Sequence, residues 1–112
     1  MAKKINLNDY LGHSMDCTCG KEHKTNLKIV DIDKDAVSRL PKHIEALGYK
    51  KPFLVADVNT WAAAGALAAE KLDVAGISYK KYIFNEKELI PDERTLGSLM
   101  MAFSRDCDVI VA

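Results

Sequence analysis

The sequence has no charge excess of either sign. Sixteen Lys and Arg balance sixteen Asp and Glu over 112 residues, giving a net charge of zero. A nucleic-acid-binding domain usually carries a basic excess, so nucleic acid is not expected as a partner. Long apolar runs are missing too. The longest, 61–69, falls far short of the ~20 residues that span a bilayer, and no membrane association is expected. The two lysines near the start have no apolar stretch behind them, which argues against a secretory signal. Cysteine is scarce and odd in number: Cys17, Cys19 and Cys107. A disulfide framework needs pairs, so reduced thiols in a cytoplasmic protein are expected. No G-x-G-x-x-G and no G-x-x-x-x-G-K-[ST] occurs, which removes the usual phosphate-cradling loops. Neither a serine elbow nor an H-E-x-x-H is present.

What remains is an ordinary globular composition, 48% hydrophobic and 29% charged, at a length suited to one domain. Residues 1–25 are polar and irregular and read as an N-terminal arm. Residues 26–112 read as the domain proper. Leu27 to Asp31 is β-branched and loosely alternating, the pattern of a strand. A helix follows from Asp33, broken or restarted at Pro41 and closed at Gly48. Pro52 to Asp57 is short and continuously apolar up to its last residue, as in a strand buried on both faces. Asn59 or Thr60 can cap the alanine-rich helix beginning at Trp61. Ser78 to Phe84 is a third strand. Pro91 and the acids after it start a third helix, on which Leu96, Leu99, Met100 and Phe103 share one apolar face. Asp108 to Ala112 is a fourth strand. The alternation β-α-β-α-β-α-β predicts an α/β fold with a parallel sheet.

Ligands of open parallel sheets bind beyond the carboxyl ends of the strands. Asp57 stands at such an end, where a carboxylate can accept hydrogen bonds from a ribose diol. The competing role for Asp57 is to cap the next helix, and Asn59 and Thr60 share that ambiguity. The second cluster is Cys17, Cys19 and His23, with His13 upstream. Two thiolates and imidazoles suit zinc, but one residue between the cysteines departs from the usual two to four. The alternative is a turn at Gly20 with reduced cysteines. Cys107 reads as a small buried apolar residue.

Three stretches carry a family resemblance, in matching order. They are 15–23 (Met-Asp-Cys-Thr-Cys-Gly-Lys-Glu-His), 53–60 (Phe-Leu-Val-Ala-Asp-Val-Asn-Thr), and 89–97 (Leu-Ile-Pro-Asp-Glu-Arg-Thr-Leu-Gly) with 107–112 (Cys-Asp-Val-Ile-Val-Ala). They resemble the N-terminal part of bacterial sn-glycerol-1-phosphate dehydrogenases, within the superfamily of iron-type alcohol dehydrogenases and dehydroquinate synthases. The resemblance implies a truncated, Rossmann-like first half of a nucleotide-binding domain. It implies an oxidoreductase of phospholipid metabolism that uses NAD or NADP to interconvert dihydroxyacetone phosphate and glycerol 1-phosphate. It also implies a divalent metal (zinc, nickel or iron) held by an Asp and two His of a helical C-terminal domain. A homo-oligomer is expected from the residues themselves, because a terminal strand at 108–112 leaves an apolar edge with Asp108 alone as a charged guard. The family's pyrophosphate loop and metal ligands are expected beyond residue 112, so the chain is expected to be a fragment, inactive by itself. Of the family's functional positions, Asp57, Asn59 and Thr60 carry over as cofactor-binding residues. No catalytic residue does. The competing readings are a stand-alone α/β module that binds a nucleotide or a protein without catalysis, and a metal-binding module built on the arm.

Overall fold

A computed structural model of the chain describes residues 6–15 and 17–112. They fall into two units, Met1–Asp33 and Lys34–Ala112. Asp16, inside the first of the three resembling stretches, lies outside the described residues.

The first unit is not wholly irregular. A 3₁₀ turn at Leu7–Tyr10 is capped by Asn6, whose side chain accepts the Asn8 N–H at 3.2 Å. Two short strands, β1 (Ser14–Met15) and β2 (His23–Lys24), then pair as an antiparallel hairpin with Met15 opposite His23. No described residue of this unit is buried. The expected strand at 27–31 does not form: these residues carry no regular secondary structure. A strand needs a ladder partner for its backbone and a covered face for its side chains. Leu27 is 57% exposed and Ile29 and Val30 are only partly buried, so no residue of the segment is packed as a core strand would be.

In the second unit a 3₁₀ turn, Ala36–Arg39, leads into α1 (Leu40–Ala46) with Pro41 in its first turn. A proline is tolerated there because its missing N–H would have had no helical partner. α1 closes through Gly48 at φ 82°, with the Tyr49 N–H returning to the Ile44 carbonyl at 3.1 Å. This left-handed C-cap is easy only for glycine.

β3 (Pro52–Asp57) follows, then α2 (Val58–Thr60), a π-helical turn at Trp61–Gly65, and α3 (Ala66–Val74). β4 (Lys80–Phe84), α4 (Glu93–Ala102) and β5 (Val109–Val111) complete the unit. The sheet is parallel, in the order β4-β3-β5. The α/β class with a parallel sheet is thus as expected, though the sheet has three strands because the 27–31 strand is missing from it.

β3 is the centre of the unit, and successive residues face opposite sides. Leu54 joins Ile44 of α1 and Ala69 and Leu72 of α3 in the core, with Leu40, Trp61, Ile77 and Val111 packed around them. Phe53 meets Phe103, just past α4, edge-to-face at 5.2 Å between ring centres. The alanines of α3 matter here: Ala68 and Ala69 are buried and let the helix approach closely. Within the π turn a Cβ on Gly65 would lie 2.7 Å from Trp61 Cε3, so the indole occupies the space a larger residue would need.

The apolar face of α4 is not covered as a core face would be. Leu96 is 58% and Met100 69% exposed, and no residue of α4 is buried. With Leu99, Phe103, Arg105 and Ile110 they line an open groove of about 420 Å³.

Candidate nucleotide-binding site

The chain leaves β3 to form β4 on one side, then crosses back to form β5 on the other. Connections that depart to opposite sides open a crevice beyond the carboxyl ends of the strands they part, the usual ligand position in open α/β sheets. β5 pairs with β3 as far as Leu54 opposite Val111. β3 itself continues to Asp57, which pairs with Phe84 of β4. Asp57 therefore stands at the tip of the central strand, beside the reversal.

Its side chain is engaged. Asp57 is the N-cap of α2: Oδ1 accepts the Thr60 N–H at 2.7 Å and the Thr60 hydroxyl at 2.9 Å, while the Thr60 Oγ1 accepts the Asp57 N–H at 2.9 Å. This reciprocal capping box satisfies otherwise unpaired donors at the helix start. The expected caps Asn59 and Thr60 are corrected accordingly. The cap is Asp57, because it is the last extended residue, and Thr60 answers it from the helix's first turn. The Thr60 N–H, and then its hydroxyl, hold the Asp57 carboxyl below the usual carboxylate range. Capping and ligand binding do not exclude each other. The Thr60 bonds all fall on Oδ1, and an ionised acceptor at this place suits a diol. Val58, Asn59 and Thr60 are exposed around it.

The opposite end of the sheet holds a second set of charges that the sequence pattern did not reveal. The Asp108 carboxylate accepts the Lys50 N–H at 2.8 Å and the Lys51 N–H at 2.9 Å, and its own N–H donates to the Lys51 carbonyl at 3.0 Å. Asp106 pairs with Lys51 and with Lys80 at 3.2 Å, and accepts the Ser104 hydroxyl. The Lys51 contact first, then Ser104 and Lys80, hold the Asp106 carboxyl far below its ordinary value. The backbone N–H groups of Lys51 and Lys50 lower Asp108 in the same direction. This cluster ties together the starts of β3, β4 and β5. Asp108, read from the sequence only as the first residue of a strand, is a clamp. Its signal lay in the third dimension, since its partners are 57 and 58 residues away. Asp92 has a local duty: it caps α4 by accepting the Thr95 N–H at 2.9 Å. Cys107 is buried, as its sequence context suggested.

In the first unit, Cys17, Cys19 and His23 converge, with Sγ, Sγ and a ring nitrogen all within 4.8 Å of one another. It is the only such cluster of metal-ligating groups among the described residues. It does not fit the Asp and two His of the metal site implied by the resemblance, and no step of that chemistry is assigned to it.

A parallel sheet with helices between its strands and a reversal beside its middle strand is consistent with part of a Rossmann-like fold. That is the class this chain defines. Sequence comparison narrows it: four curated glycerol-1-phosphate dehydrogenases [NAD(P)+] match the chain. The protein from Halalkalibacterium halodurans is 33% identical over 101 residues, covering 87% of this chain and 25% of its own length. That from Bacillus velezensis is 34% identical over 84 residues, covering 72% and 21%. That from Geobacillus stearothermophilus is 24% identical over 110 residues, covering 95% and 27%. The resemblance read from the three motifs is thereby shown, and the chain spans about a quarter of the length of the relatives it matches. No family model matches the chain, and no solved structure does. No helix among the described residues is long and apolar enough to cross a membrane.

Proposed function

We propose that this chain is the N-terminal, nucleotide-binding portion of an NAD(P)-dependent glycerol-1-phosphate dehydrogenase. The observation that carries the reading is the position of Asp57, ionised, at the carboxyl end of the central strand and beside the reversal of strand order. The names of the relatives supply the reaction class, an NAD(P)-linked dehydrogenase of glycerol 1-phosphate. On this reading Asp57 accepts from the ribose hydroxyls of the adenosine half. Thr60 fixes the carboxylate by the capping box, and Asn59 lies in the same turn at the rim. Reduction of dihydroxyacetone phosphate needs the pyrophosphate and carbonyl-polarising parts of such an enzyme, which these residues do not contain, so the chain alone does not turn over substrate. The enzyme is read as cytoplasmic and homo-oligomeric. The exposed apolar stripe of α4 supports the second of these.

The test is a chimera in which these 112 residues replace the matching quarter of the Halalkalibacterium halodurans enzyme. NAD(P)H-dependent reduction of dihydroxyacetone phosphate is expected in the chimera and not in the chain alone. Asp57→Ser in the chimera should raise the kcat/KM ratio of NADPH over NADH, because a carboxylate near the 2′ position repels a phosphate. A folded, active chimera whose ratio does not move would assign Asp57 to capping alone.

A further inference from the structure

The geometry points to a site that the proposed dehydrogenase reading does not use: we propose that Cys17, Cys19 and His23 bind one zinc ion, with the fourth position open to solvent. The hairpin builds the site. The register places His23 opposite Met15 on the returning strand, so its ring comes back to the segment that carries the cysteines. The Gly20 N–H closes a turn onto the Cys17 carbonyl at 3.3 Å, and Gly20 has φ 77°, which glycine adopts without steric cost. One residue between the cysteines is enough because this turn, rather than a longer loop, gathers both sulfurs.

The donor atoms are already close. His23 Nε2 lies 2.9 Å from Cys19 Sγ, and all three ligand atoms are within 4.8 Å of one another. Around tetrahedral zinc, with Zn–S about 2.3 Å and Zn–N about 2.0–2.1 Å, ligand atoms stand about 3.5–3.8 Å apart. Small side-chain rotations therefore reach the geometry. The Cys19 N–H points at Cys17 Sγ at 3.5 Å, which keeps the first sulfur turned towards the second. Two sulfurs and an imidazole are soft donors, suited to zinc rather than to magnesium or calcium. Glu22 is not one of the converging groups, and one of its carboxylate oxygens accepts the Ser14 hydroxyl.

A second observation asks for a ligand. The unit holding the hairpin has no buried residue among those described, and its strands are two residues each. An isolated two-stranded hairpin is marginal in water, and small units without a core are commonly fixed by a metal. Zinc would cross-link the hairpin loop to β2 through His23.

The experiment uses the 112-residue chain under reductant, with zinc and cobalt(II) as probes. One zinc per chain is expected by mass spectrometry under native conditions. Cobalt should show thiolate-to-metal charge transfer and the intense visible bands of a tetrahedral site. Removing a residue that only supports a metal ligand typically weakens affinity ~10–100-fold, so Cys17→Ser, Cys19→Ser and His23→Ala should each weaken it by more than ~100-fold. Cys107→Ser and His13→Ala should leave it unchanged. Amide exchange of the residues flanking β1 and β2 should slow when zinc is added. No zinc uptake overturns the proposal, as does uptake that survives the Cys17→Ser, Cys19→Ser double change or is lost in Cys107→Ser.

Discussion

The two ends of the parallel sheet are built from the same residue types and do different work. At the amino end, Asp106 and Asp108 are spent on lysines and backbone N–H groups from three strand entrances. At the carboxyl end, Asp57 bonds within its own turn, through Thr60. One end fixes the strands. The other leaves an ionised acceptor where ligands of such sheets bind. The difference separates carboxylates that clamp strands together from one that caps a helix at the strand tip. Distance along the sequence to the partner tells strand clamps from helix caps, Asp57 and Asp92 bonding three residues away and Asp108 to partners 57 and 58 away; the pKa does not, for all of these and Asp106 are lowered.

The largest test removes what joins the ends. Leu54 is 4% exposed at the middle of β3, and Leu54→Ala should cost about 2–5 kcal/mol in denaturant unfolding. Amide exchange should rise at both ends of the strand together. A rise at one end only would mean that the ends are not coupled through β3. Gly65→Ala is the next in size. The new methyl meets the Trp61 ring, and overpacking of this kind costs roughly 1–3 kcal/mol. Its effect should be confined to the carboxyl end, with protection lost at Trp61 and Ala66 while Lys50 and Lys51 keep theirs.

The smallest effect is the acid response of the amino end. Asp106 and Asp108 have lowered pKa values in the fold. A lowered folded pKa contributes stability above the unfolded value, near 4, and that contribution is lost as pH falls below it. The thermal midpoint should therefore drop on acidification through about pH 4, and the Asp106→Asn, Asp108→Asn double change should flatten that slope. Asp57 and Asp92, lowered by their caps, supply the rest of it. An unchanged slope would show that the clamps do not stabilise the sheet.

Much of this was legible in the residues. The parallel sheet, Pro41 in a first helical turn, the Gly48 closure and buried Cys107 follow from local patterns that the fold obeys. The 27–31 strand does not form because a β-branched alternation describes a surface that fits a sheet, not the presence of a neighbour. The α4 stripe reads as a core face for the same reason: periodicity shows which residues share a side, and Leu96 and Met100 share one that stays exposed. The hairpin was hidden because strands of two residues have no period. The Asp106 and Asp108 clamps were hidden because nothing local distinguishes an aspartate whose partner lies across the sheet.

The most direct measurement is a two-dimensional NMR titration of the labelled chain with NAD+ and with ADP-ribose, repeated on Asp57→Ala. Weak, fast-exchange shifts are expected at residues 57–60 and at the end of β4, and are expected to vanish in the variant, while Lys50, Lys51 and Asp108 stay still. Shifts that survive Asp57→Ala, or that gather at the amino end of the sheet, would contradict the assignment of nucleotide binding to the carboxyl end.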